Sequence, residues 1–371
     1  MDDLILKPSI YDDFHCIADR CTFSCCCNWN IVVDDTTMKT YRNDPFILQG
    51  IDVDAGHMRT DEAGCCYFLN EQGLCNLVMK YGEEGLCDTC ARFPRQYIER
   101  QGIKECSLSN ACPKVLAMLH EAPVPLSFVL DGDDFPSEYE ALHSVKIRDT
   151  VIGMLQLSGI PLWSRMFMSA FFLNKIVENG AGAVEALVRQ YSSTEFAHEI
   201  YVNFGRMDYQ EDVFLRNIHF LFYVVNVNVS WSGFFVDHVK GFCEEEPQYV
   251  RDHGWDAYSD RWGTFRHELE QYRDYIENVC VNYVFRNLVS EEYKELDQMM
   301  KILIVQIALS VYNMFLVWHS GEDYNIYDVF CYYSRILGHN RENAITMLEA
   351  LDEQLDWGMG DYYLLVRGLE V

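Results

Sequence analysis

The clustering of cysteine constrains this chain more than any other feature of its sequence. Twelve of its fifteen cysteines lie in the first 112 residues, and the rest of the chain contains three. A hydrophobic core uses cysteine as a small apolar side chain and scatters it. Clustering at short spacings therefore indicates that thiols are brought together, to bind a metal ion, to bind an iron–sulfur cluster, or to bond with each other.

The spacings are typical of metal ligands. Residues 25–27 are three consecutive cysteines, and Cys87-Asp-Thr-Cys90 is a C-x-x-C pair. Four thiolates arranged around a site hold either zinc or an iron–sulfur cluster. Cys112 is followed by a proline, as is the last cysteine of bacterial ferredoxin motifs. Adjacent cysteines usually point apart, so Cys25 and Cys26 either serve two sites or divide into one ligand and one packing residue.

Whether the clustered cysteines act as metal ligands or form disulfides depends on the redox state of the compartment. The segment MDDLILKPSIYDD lacks a basic region followed by an apolar one, so no signal peptide is expected. We therefore expect a cytoplasmic protein, in which thiols stay reduced. In that compartment clustered cysteines act as metal ligands more often than as disulfides.

The net charge of −28 excludes a nucleic-acid-binding function, because phosphate contacts need a basic surface. Most of the acidity belongs to the C-terminal part. This acidity either keeps the protein soluble or attracts a basic partner, such as a lysine-bearing protein surface.

The chain divides into two parts with different residue patterns, and together they predict a mainly α protein. The first part consists of short pieces separated by turns and predicts a small, irregular α+β, cysteine-rich metal-binding domain over residues 1–122. Residues 123–136 contain three prolines and an acidic turn and are predicted to be a linker. From residue 137 to 371, apolar residues recur three and four positions apart, which predicts a larger all-α domain of six to nine helices.

Several local elements are predicted within the first domain. Residues 30–34 and 65–69 favour strands, and Asp34 or Asp35 is suited to cap a following helix. Residues 95–99 and 103–109 flank Arg100-Gln101-Gly102 and predict a hairpin. A helix is expected after Ser109 or Asn110, with Pro113 near its first turn.

The segment from Ile302 to Trp318 is almost long enough to span a membrane. However, Gln306, Ser310 and Asn313 recur at helical spacing on one side of it, and acidic residues flank both ends. A buried helix with one polar stripe is therefore predicted, and no membrane span.

Other motifs for catalysis are absent or broken. The radical-SAM spacing C-x3-C-x2-C begins at Cys21 and Cys25 but meets Asn28 where the third cysteine belongs. Gly358-Met-Gly360 is a G-x-G, but no strand clearly precedes it, so a turn is predicted there. The sequence contains no G-x-S-x-G, H-E-x-x-H or P-loop motif.

A pattern of cysteine, aromatic and proline positions runs along most of the chain. Its segments are Cys16…Cys21…Cys25-Cys26-x-x-Trp29, Ile31–Asp34, Cys66–Leu69, Gly73-Leu-Cys75, Tyr81-Gly82, Cys90-x-x-Phe-Pro-Arg95, Leu108-Ser-x-x-Cys112-Pro113, Asn278–Leu288 and Ser334-Arg335…His339-Asn340. This pattern resembles the flagellin lysine-N-methylase family (FliB). The N-terminal part of that family belongs to a wider group of zinc- or iron-chelating cysteine domains.

The resemblance implies an enzyme that transfers a methyl group from S-adenosylmethionine (SAM) to lysine side chains of flagellin. It also implies an iron–sulfur cluster of the 4Fe-4S type, with zinc as the alternative metal. The cysteines that match the family positions are Cys16, Cys21, Cys25, Cys26, Cys66, Cys75, Cys90 and Cys112. Eight ligands exceed the four that one cluster needs, so either two sites exist or some of these cysteines only pack.

Four further cysteines, at positions 27, 65, 87 and 106, are extra to the family pattern. The resemblance assigns neither catalytic nor SAM-binding residues, and catalysis is expected where the two domains meet. The alternative function is a non-catalytic zinc- or iron-binding scaffold whose helical domain binds a partner protein.

Overall fold

The computed structural model describes residues 4–132, 134–227, 234–322, 325–339 and 341–369. Its strands are β1 (Leu4–Pro8), β2 (Ile51–Asp52), β3 (His57–Met58), β4 (Arg95–Arg100), β5 (Ile103–Leu108) and β6 (Phe128–Asp131). Its first helices are α1 (Asp35–Tyr41), α2 (Pro45–Leu48), α3 (Asn76–Tyr81), α4 (Asp88–Arg92) and α5 (Pro113–Glu121).

Helices make up the rest of the described chain. They are α6 (Ser137–Glu140), α7 (His143–Leu155), α8 (Leu162–Asn179), α9 (Val184–Tyr191), α10 (Thr194–Phe204), α11 (Glu211–Val227), α12 (Phe234–Leu269), α13 (Arg273–Asn287), α14 (Tyr293–Ser320), α15 (Ile326–Tyr333), α16 (Arg341–Leu355) and α17 (Met359–Leu369). Residues Ser334–His339 form a π-helical turn after α15.

The fold class is confirmed: a small α+β region precedes a larger helical region. The expected six to nine helices are too few, because twelve helices lie in the described residues after 137. One reason is that residues 163–191 form two helices rather than one. Gly180 ends α8 with φ of 71°, a conformation that glycine adopts at little cost and that stops a helix. Gly358 lies directly before α17, and Met359 and Gly360 already belong to that helix, so the segment predicted to be a turn is the start of a helix.

A four-stranded sheet in the order β4-β5-β1-β6 brings the start of the cysteine-rich region together with its end. The predicted hairpin is confirmed, with β4 and β5 antiparallel and a turn at Gln101 and Gly102. β1 pairs in parallel with β5, and β6 pairs antiparallel with β1. β6 lies inside the residues predicted to be a linker, so part of that segment completes the sheet.

The predicted strands at residues 30–34 and 65–69 do not form. Only isolated bridges occur there, such as Val32 with His57 and Leu69 with Cys75. Glycines with φ of 75° reverse the chain at positions 56, 64 and 73, so no neighbouring segment stays extended long enough to make a ladder. The predicted cap is confirmed, since the Asp34 carboxylate accepts a hydrogen bond from the amide of Thr37 at 2.9 Å.

Two apolar clusters fill the interior. A large cluster joins the sheet and α5 to the helical region, so the core runs continuously across the predicted domain boundary. A smaller cluster belongs to residues 31–87 and includes Ile31, Val33, Phe68 and Leu77. The cysteine-rich region is therefore attached to the helices through its sheet, while its central part keeps a core of its own.

Helix α14 contains Ile302 to Trp318, the apolar segment that is almost long enough to span a membrane. It is long and apolar enough to cross a membrane, but 94% of its most apolar window is buried within the protein. Gln306, Ser310 and Asn313 of its polar stripe are completely buried. This agrees with the prediction of a buried helix with one polar stripe, in which Gln306 bonds with Ser334 and Ser310 with its own helix backbone.

A buried ion network joins the sheet to the helices. Glu105 on β5 accepts hydrogen bonds from Arg148 on α7 at 2.8 Å and from Arg100 on β4 at 2.9 Å, and also from the hydroxyl of Tyr139. Burial raises the pKa of Glu105, but the charges of Arg148 and Arg100 outweigh it and hold that pKa below its usual range. The carboxylate therefore stays charged at neutral pH.

Replacing Glu105 with Gln should lower the free energy of unfolding by roughly 3–5 kcal/mol, because Arg148 would remain buried without its counter-charge. Urea unfolding followed by circular dichroism measures this loss. Glu99→Gln, on the exposed side of the same hairpin, is the matched control and should change stability by less than about 0.5 kcal/mol.

The pH dependence gives a second measurement of the same network. The folded pKa of Glu105 is depressed, so its contribution is complete above the unfolded pKa of about 4.3 and is lost as pH falls through the folded value. The stability difference between wild type and Glu105→Gln should therefore shrink in acid. Equal stability of the two proteins at pH 7 would contradict this account.

Candidate functional site

Arg335 holds the first cysteine segment against the helical region. Its guanidinium donates to the carbonyl oxygens of Phe23 at 2.7 Å, Ser24 at 2.9 Å and Ala111 at 3.2 Å. It also stacks over the ring of Phe23 and is only 3% exposed. Because Arg335 lies in the π-helical turn, one irregular turn of the helical region fixes two separate stretches of the cysteine-rich region.

A second contact strengthens this junction. Asp328 on α15 accepts a hydrogen bond from the hydroxyl of Thr22 at 2.7 Å. Cys331, one turn further along α15, is completely buried, and its thiol donates to the carbonyl oxygen of Ala111 at 3.1 Å. α15 and the turn that follows it therefore contact two stretches of the cysteine-rich region. One is the segment around Cys21 and Cys25, and the other is the loop before Cys112.

Four cysteines gather at this junction, and we name them the boundary group: Cys16, Cys21, Cys25 and Cys112. Burial raises the pKa of Cys112 to about 11, with further contributions from the charges of Cys21 and Cys16. The pKa of Cys25 is raised by its hydrogen bond with the Cys26 thiol, then by burial, and the charge of Cys112 adds to this. These thiols are therefore close neighbours.

Five other cysteines form what we name the inner group: Cys26, Cys66, Cys75, Cys87 and Cys90. All five pack in the smaller apolar cluster. Burial raises the pKa of Cys66 to about 11, and the charges of Cys26, Cys75 and Cys87 raise it as well. A hydrogen bond with Cys87 raises the pKa of Cys90, helped by burial and by the charges of Cys26 and Cys66.

Turns and helix starts bring the inner thiols together. Cys75 occupies the position directly before α3 and Cys87 the position directly before α4, so each lies where the chain turns into a helix. The amide of Cys66 donates to the carbonyl oxygen of Cys26 at 2.7 Å. This backbone bond places two cysteines that are distant in sequence side by side.

A disulfide joins Cys27 to Cys65. The expectation that the clustered cysteines all stay reduced is therefore wrong for this pair. Two of the cysteines extra to the family pattern bond with each other. Each is the chain neighbour of an inner-group thiol, so the bond holds the segments of Cys26 and Cys66 together.

The eight cysteines implied by the resemblance thus fall into two sets of four, divided between the neighbours Cys25 and Cys26. Of the extra cysteines, Cys87 joins the inner group. Cys106 lies on β5, where its thiol hydrogen-bonds with Tyr11 rather than with another cysteine. Among the residues that the structure describes, no three His, Cys, Asp or Glu side chains could hold a single metal ion. Metal binding by the eight cysteines stays a prediction.

Next to the boundary group, α13 and α14 present a layer of buried amides. Asn282 donates to the carbonyl oxygen of Leu108 at 2.9 Å and to the side chain of Asn110 at 2.6 Å. Gln306 donates to the hydroxyl of Ser334 at 2.7 Å. The amide oxygens of Asn282 and Gln306 have no hydrogen-bond partner in the described part of the chain. Gln306 borders a cavity of about 10 Å³, which suits one water molecule.

A larger cavity of about 470 Å³ opens between α7 and α9, away from the cysteines. Its polar lining is Glu140, Lys146, Asp149, Thr150, Tyr191, Ser192, Ser193 and Thr194, and its apolar lining is Val145, Gly153, Met154, Leu157 and Val188. Cavities of this size hold small-molecule ligands. No signal in the sequence pointed to this cavity, because its lining residues come from four helices and the loops beside them and carry no motif.

Sequence reasoning also did not assign a role to Arg335, Asn282 or Gln306. Arg335 and Asn282 lie in the two C-terminal segments of the family pattern, which is the signal that pointed to them. Asn340 and the side chain of His339, from the same pattern, lie outside the described residues.

The comparisons with known proteins bear on this arrangement. The family described as the FliB lysine N-methylase C-terminal domain matches residues 148–365, which include Asn282, Gln306 and Arg335. The chain belongs to the FliB lysine N-methylase family. The resemblance drawn from the cysteine pattern is confirmed, although the matched residues begin after the last cysteine of that pattern.

Three individual proteins are similar to this chain over a shorter stretch. The flagellar biosynthetic protein FliU of Salmonella muenchen is 28% identical over 132 residues, which are 32% of this chain and 78% of FliU. Two proteins named lysine-N-methylase, from Salmonella choleraesuis and Salmonella typhimurium, are also 28% identical over 132 residues. That match spans 33% of each methylase. No solved structure matches the chain.

Replacing Arg335 with Lys should lower the free energy of unfolding by roughly 2–4 kcal/mol, because an ammonium cannot reach three carbonyls as the planar guanidinium does. Urea unfolding measures the change, and limited proteolysis should show faster cleavage between residues 16 and 28. Arg273→Lys, at an exposed arginine paired with Asp274, is the matched control. Equal cleavage rates in the two variants would argue against Arg335 as the anchor.

Replacing both Cys27 and Cys65 with Ser should destabilise the cysteine-rich region by about 4 kcal/mol, because the unfolded chain regains the freedom of a 38-residue loop. Denaturant melts with and without reductant test this, and reduced wild type should behave like the variant. Alkylation of the unfolded, unreduced wild type should label thirteen of the fifteen cysteines. Labelling of all fifteen would show that the disulfide is absent.

Proposed function

We propose that this chain is a SAM-dependent methyltransferase that N-methylates lysine side chains of flagellin and carries a cysteine-ligated iron–sulfur centre of the 4Fe-4S type, with zinc as the alternative metal. The observation that carries the proposal is the family match over residues 148–365. The printed names of the relatives, lysine-N-methylase and a flagellar biosynthetic protein, support the reaction and the substrate. Because the match spans a third of each methylase, the activity is a proposal for this chain.

The chemistry of the donor set fits the metal centre. Thiolates are the ligands that iron–sulfur clusters and four-thiolate zinc sites take. We assign the centre to the boundary group of Cys16, Cys21, Cys25 and Cys112, where the positive charge of Arg335 reaches the thiols of Cys21 and Cys25. When bound, the centre supplies metal–thiolate bonds that cross-link the start of the chain to the loop before α5.

The cavity between α7 and α9 is our proposed position for SAM. Its volume of about 470 Å³ suits a small cofactor, whereas the cavity beside the boundary group suits one water molecule. The carboxylates of Glu140 and Asp149 suit the sulfonium cation, and the ring of Tyr191 offers an aromatic wall. This position differs from the domain boundary expected from the sequence.

Methyl transfer places two demands on the residues around the reactants. A lysine amine must lose its proton before it attacks, since its ordinary pKa is about 10.4. It must also approach the methyl carbon in line with the departing sulfur. Carboxylates at the cavity mouth attract the lysine, and the net charge of −28 attracts a basic protein surface over a longer range. Binding of substrate should therefore weaken with salt.

Incubation of the anaerobically purified chain with flagellin and SAM carrying a deuterated methyl group tests the reaction. Mass spectrometry of flagellin peptides should find labelled methyl groups on lysines, and omission of SAM should abolish them. A flagellin that gains no label from a protein shown to bind SAM would overturn the proposed function.

The SAM position has its own test. Gly153 lines the cavity within α7, and a Cβ atom added there meets no atom within 4 Å. Gly153→Phe should fill the cavity and abolish SAM binding in calorimetry, with the helix content unchanged. Gly153→Ala, which leaves the cavity open, is the matched control. Unchanged SAM affinity of Gly153→Phe would reject this position without affecting the methylation result.

A further inference from the structure

We infer that the part of helix α12 before Gly254, which we name the α12 flap, is a pH-operated device. It packs on the helical core while Glu246 carries a proton, and it opens about Gly254 when Glu246 loses that proton. The inference is independent of the proposed function. It starts from a buried carboxyl group that the helical region leaves without a counter-charge.

Helix α12 is divided at Gly254. The backbone there has φ of 83° and ψ of 164°, far from helical values, so two helical halves meet at this residue. Glycine adopts a positive φ at little cost. A Cβ atom added to Gly254 meets no atom within 4 Å, so open space surrounds the backbone on that side. A single unconstrained residue between two helices is suited to act as a hinge.

The α12 flap contacts the rest of the protein along one face. Val239 and Phe242 are almost completely buried, and the ring of Tyr249 packs edge-on against His319 of α14 with centroids 4.4 Å apart. The opposite face, which includes Glu244 and Asp252, is exposed. Because only one face holds it, the flap can separate from the core as a unit.

Glu246 lies on that buried face and is only 3% exposed. Its Oε2 atom has no hydrogen-bond partner among the residues that the structure describes. Within those same residues no positive side chain contributes to its charge balance. A buried carboxylate without a counter-charge is costly, whereas a protonated carboxyl group is tolerated.

A chain of hydroxyl groups connects Glu246 to the neighbouring helices. Tyr258, from the second half of α12, hydrogen-bonds with Glu246. The hydroxyl of Tyr258 lies 2.7 Å from that of Tyr312 on α14, which lies 2.9 Å from Nδ1 of His219 on α11. Burial lowers the pKa of His219, so this histidine is uncharged at neutral pH and supplies no counter-charge.

The other titratable groups around the flap supply none either. They are Cys243 and Glu245 on α12, His319 on α14, and Tyr332 and Tyr333 on α15. Burial lowers the pKa of His319 to about 4, helped by the charges of Arg261 and His253. Arg261 donates to His319 at 3.2 Å and lies over the ring of Trp318. The nearest guanidinium is thus engaged away from Glu246.

The sign of the pH dependence follows from the burial of Glu246. Burial raises its pKa to about 7, which the hydrogen bond from Tyr258 opposes and the charge of Glu245 supports. In the open flap the carboxyl group reaches water, and its pKa returns to about 4.5. The closed flap is therefore fully stabilised below about pH 4.5, and this stabilisation is lost as pH rises to about 7. The equilibrium constant for opening should rise about thirty-fold between pH 5.5 and 8.

Hydrogen–deuterium exchange of the full chain tests the inference. Peptides from residues 236–253, corrected for the chemical dependence of exchange on pH, should show the thirty-fold rise. Glu246→Gln, which keeps the shape of the side chain without its charge, should stay at the low value across the range. Glu244→Gln, two positions away on the exposed face, is the matched control and should follow wild type. Peptides from α8 should show no rise in any of the three proteins.

Three results would overturn the inference. One is a wild-type flap whose corrected exchange does not change between pH 5.5 and 8. Another is a Glu246→Gln variant that keeps the rise. The third is an equal rise in α8, which would mean that pH acts on the whole fold rather than on the flap. The wild-type profile decides by itself if circular dichroism shows that Glu246→Gln does not fold.

Discussion

The buried guanidinium of Arg335 is the contact on which the arrangement of this protein depends most. It satisfies carbonyl oxygens from two stretches of the cysteine-rich region that are far apart in sequence. A buried charge is costly unless it is fully hydrogen-bonded, so the position of Arg335 fixes both stretches at once. The π-helical turn that carries it is an irregular backbone feature, and such turns occur often at functional sites.

The cysteines follow from this anchoring and from a second, smaller core. Residues near Arg335 are held to the helical region, while the thiols of the inner group are enclosed by side chains of their own segment. Short turns with glycine supply the reversals that bring distant thiols together. The same turns prevent the extended strands that residues 30–34 and 65–69 would otherwise favour. The irregular backbone of this region is therefore a consequence of gathering cysteines.

The family match and the twelve clustered cysteines occupy different parts of the chain. The match covers residues 148–365, and the clustered cysteines precede it. Asn282 and Arg335, within the matched residues, contact Leu108, Asn110 and Ala111, just before Cys112. The two parts are thus joined by hydrogen bonds to a single loop, which links the helical fold to the boundary group.

The sequence by itself determined the mainly α fold, the β4–β5 hairpin, the Asp34 cap, the burial of α14 and the family. The structural features follow from local patterns, namely the spacing of apolar residues, a turn signal or a capping residue, and the family follows from the pattern of cysteine, aromatic and proline positions. Tertiary structure alone decided the Cys27–Cys65 disulfide, the β6 edge strand and the division of the cysteines between Cys25 and Cys26. It alone also decided the role of Arg335 and the cavity between α7 and α9. These depend on which distant segments meet, and side-chain spacing along one chain does not encode that.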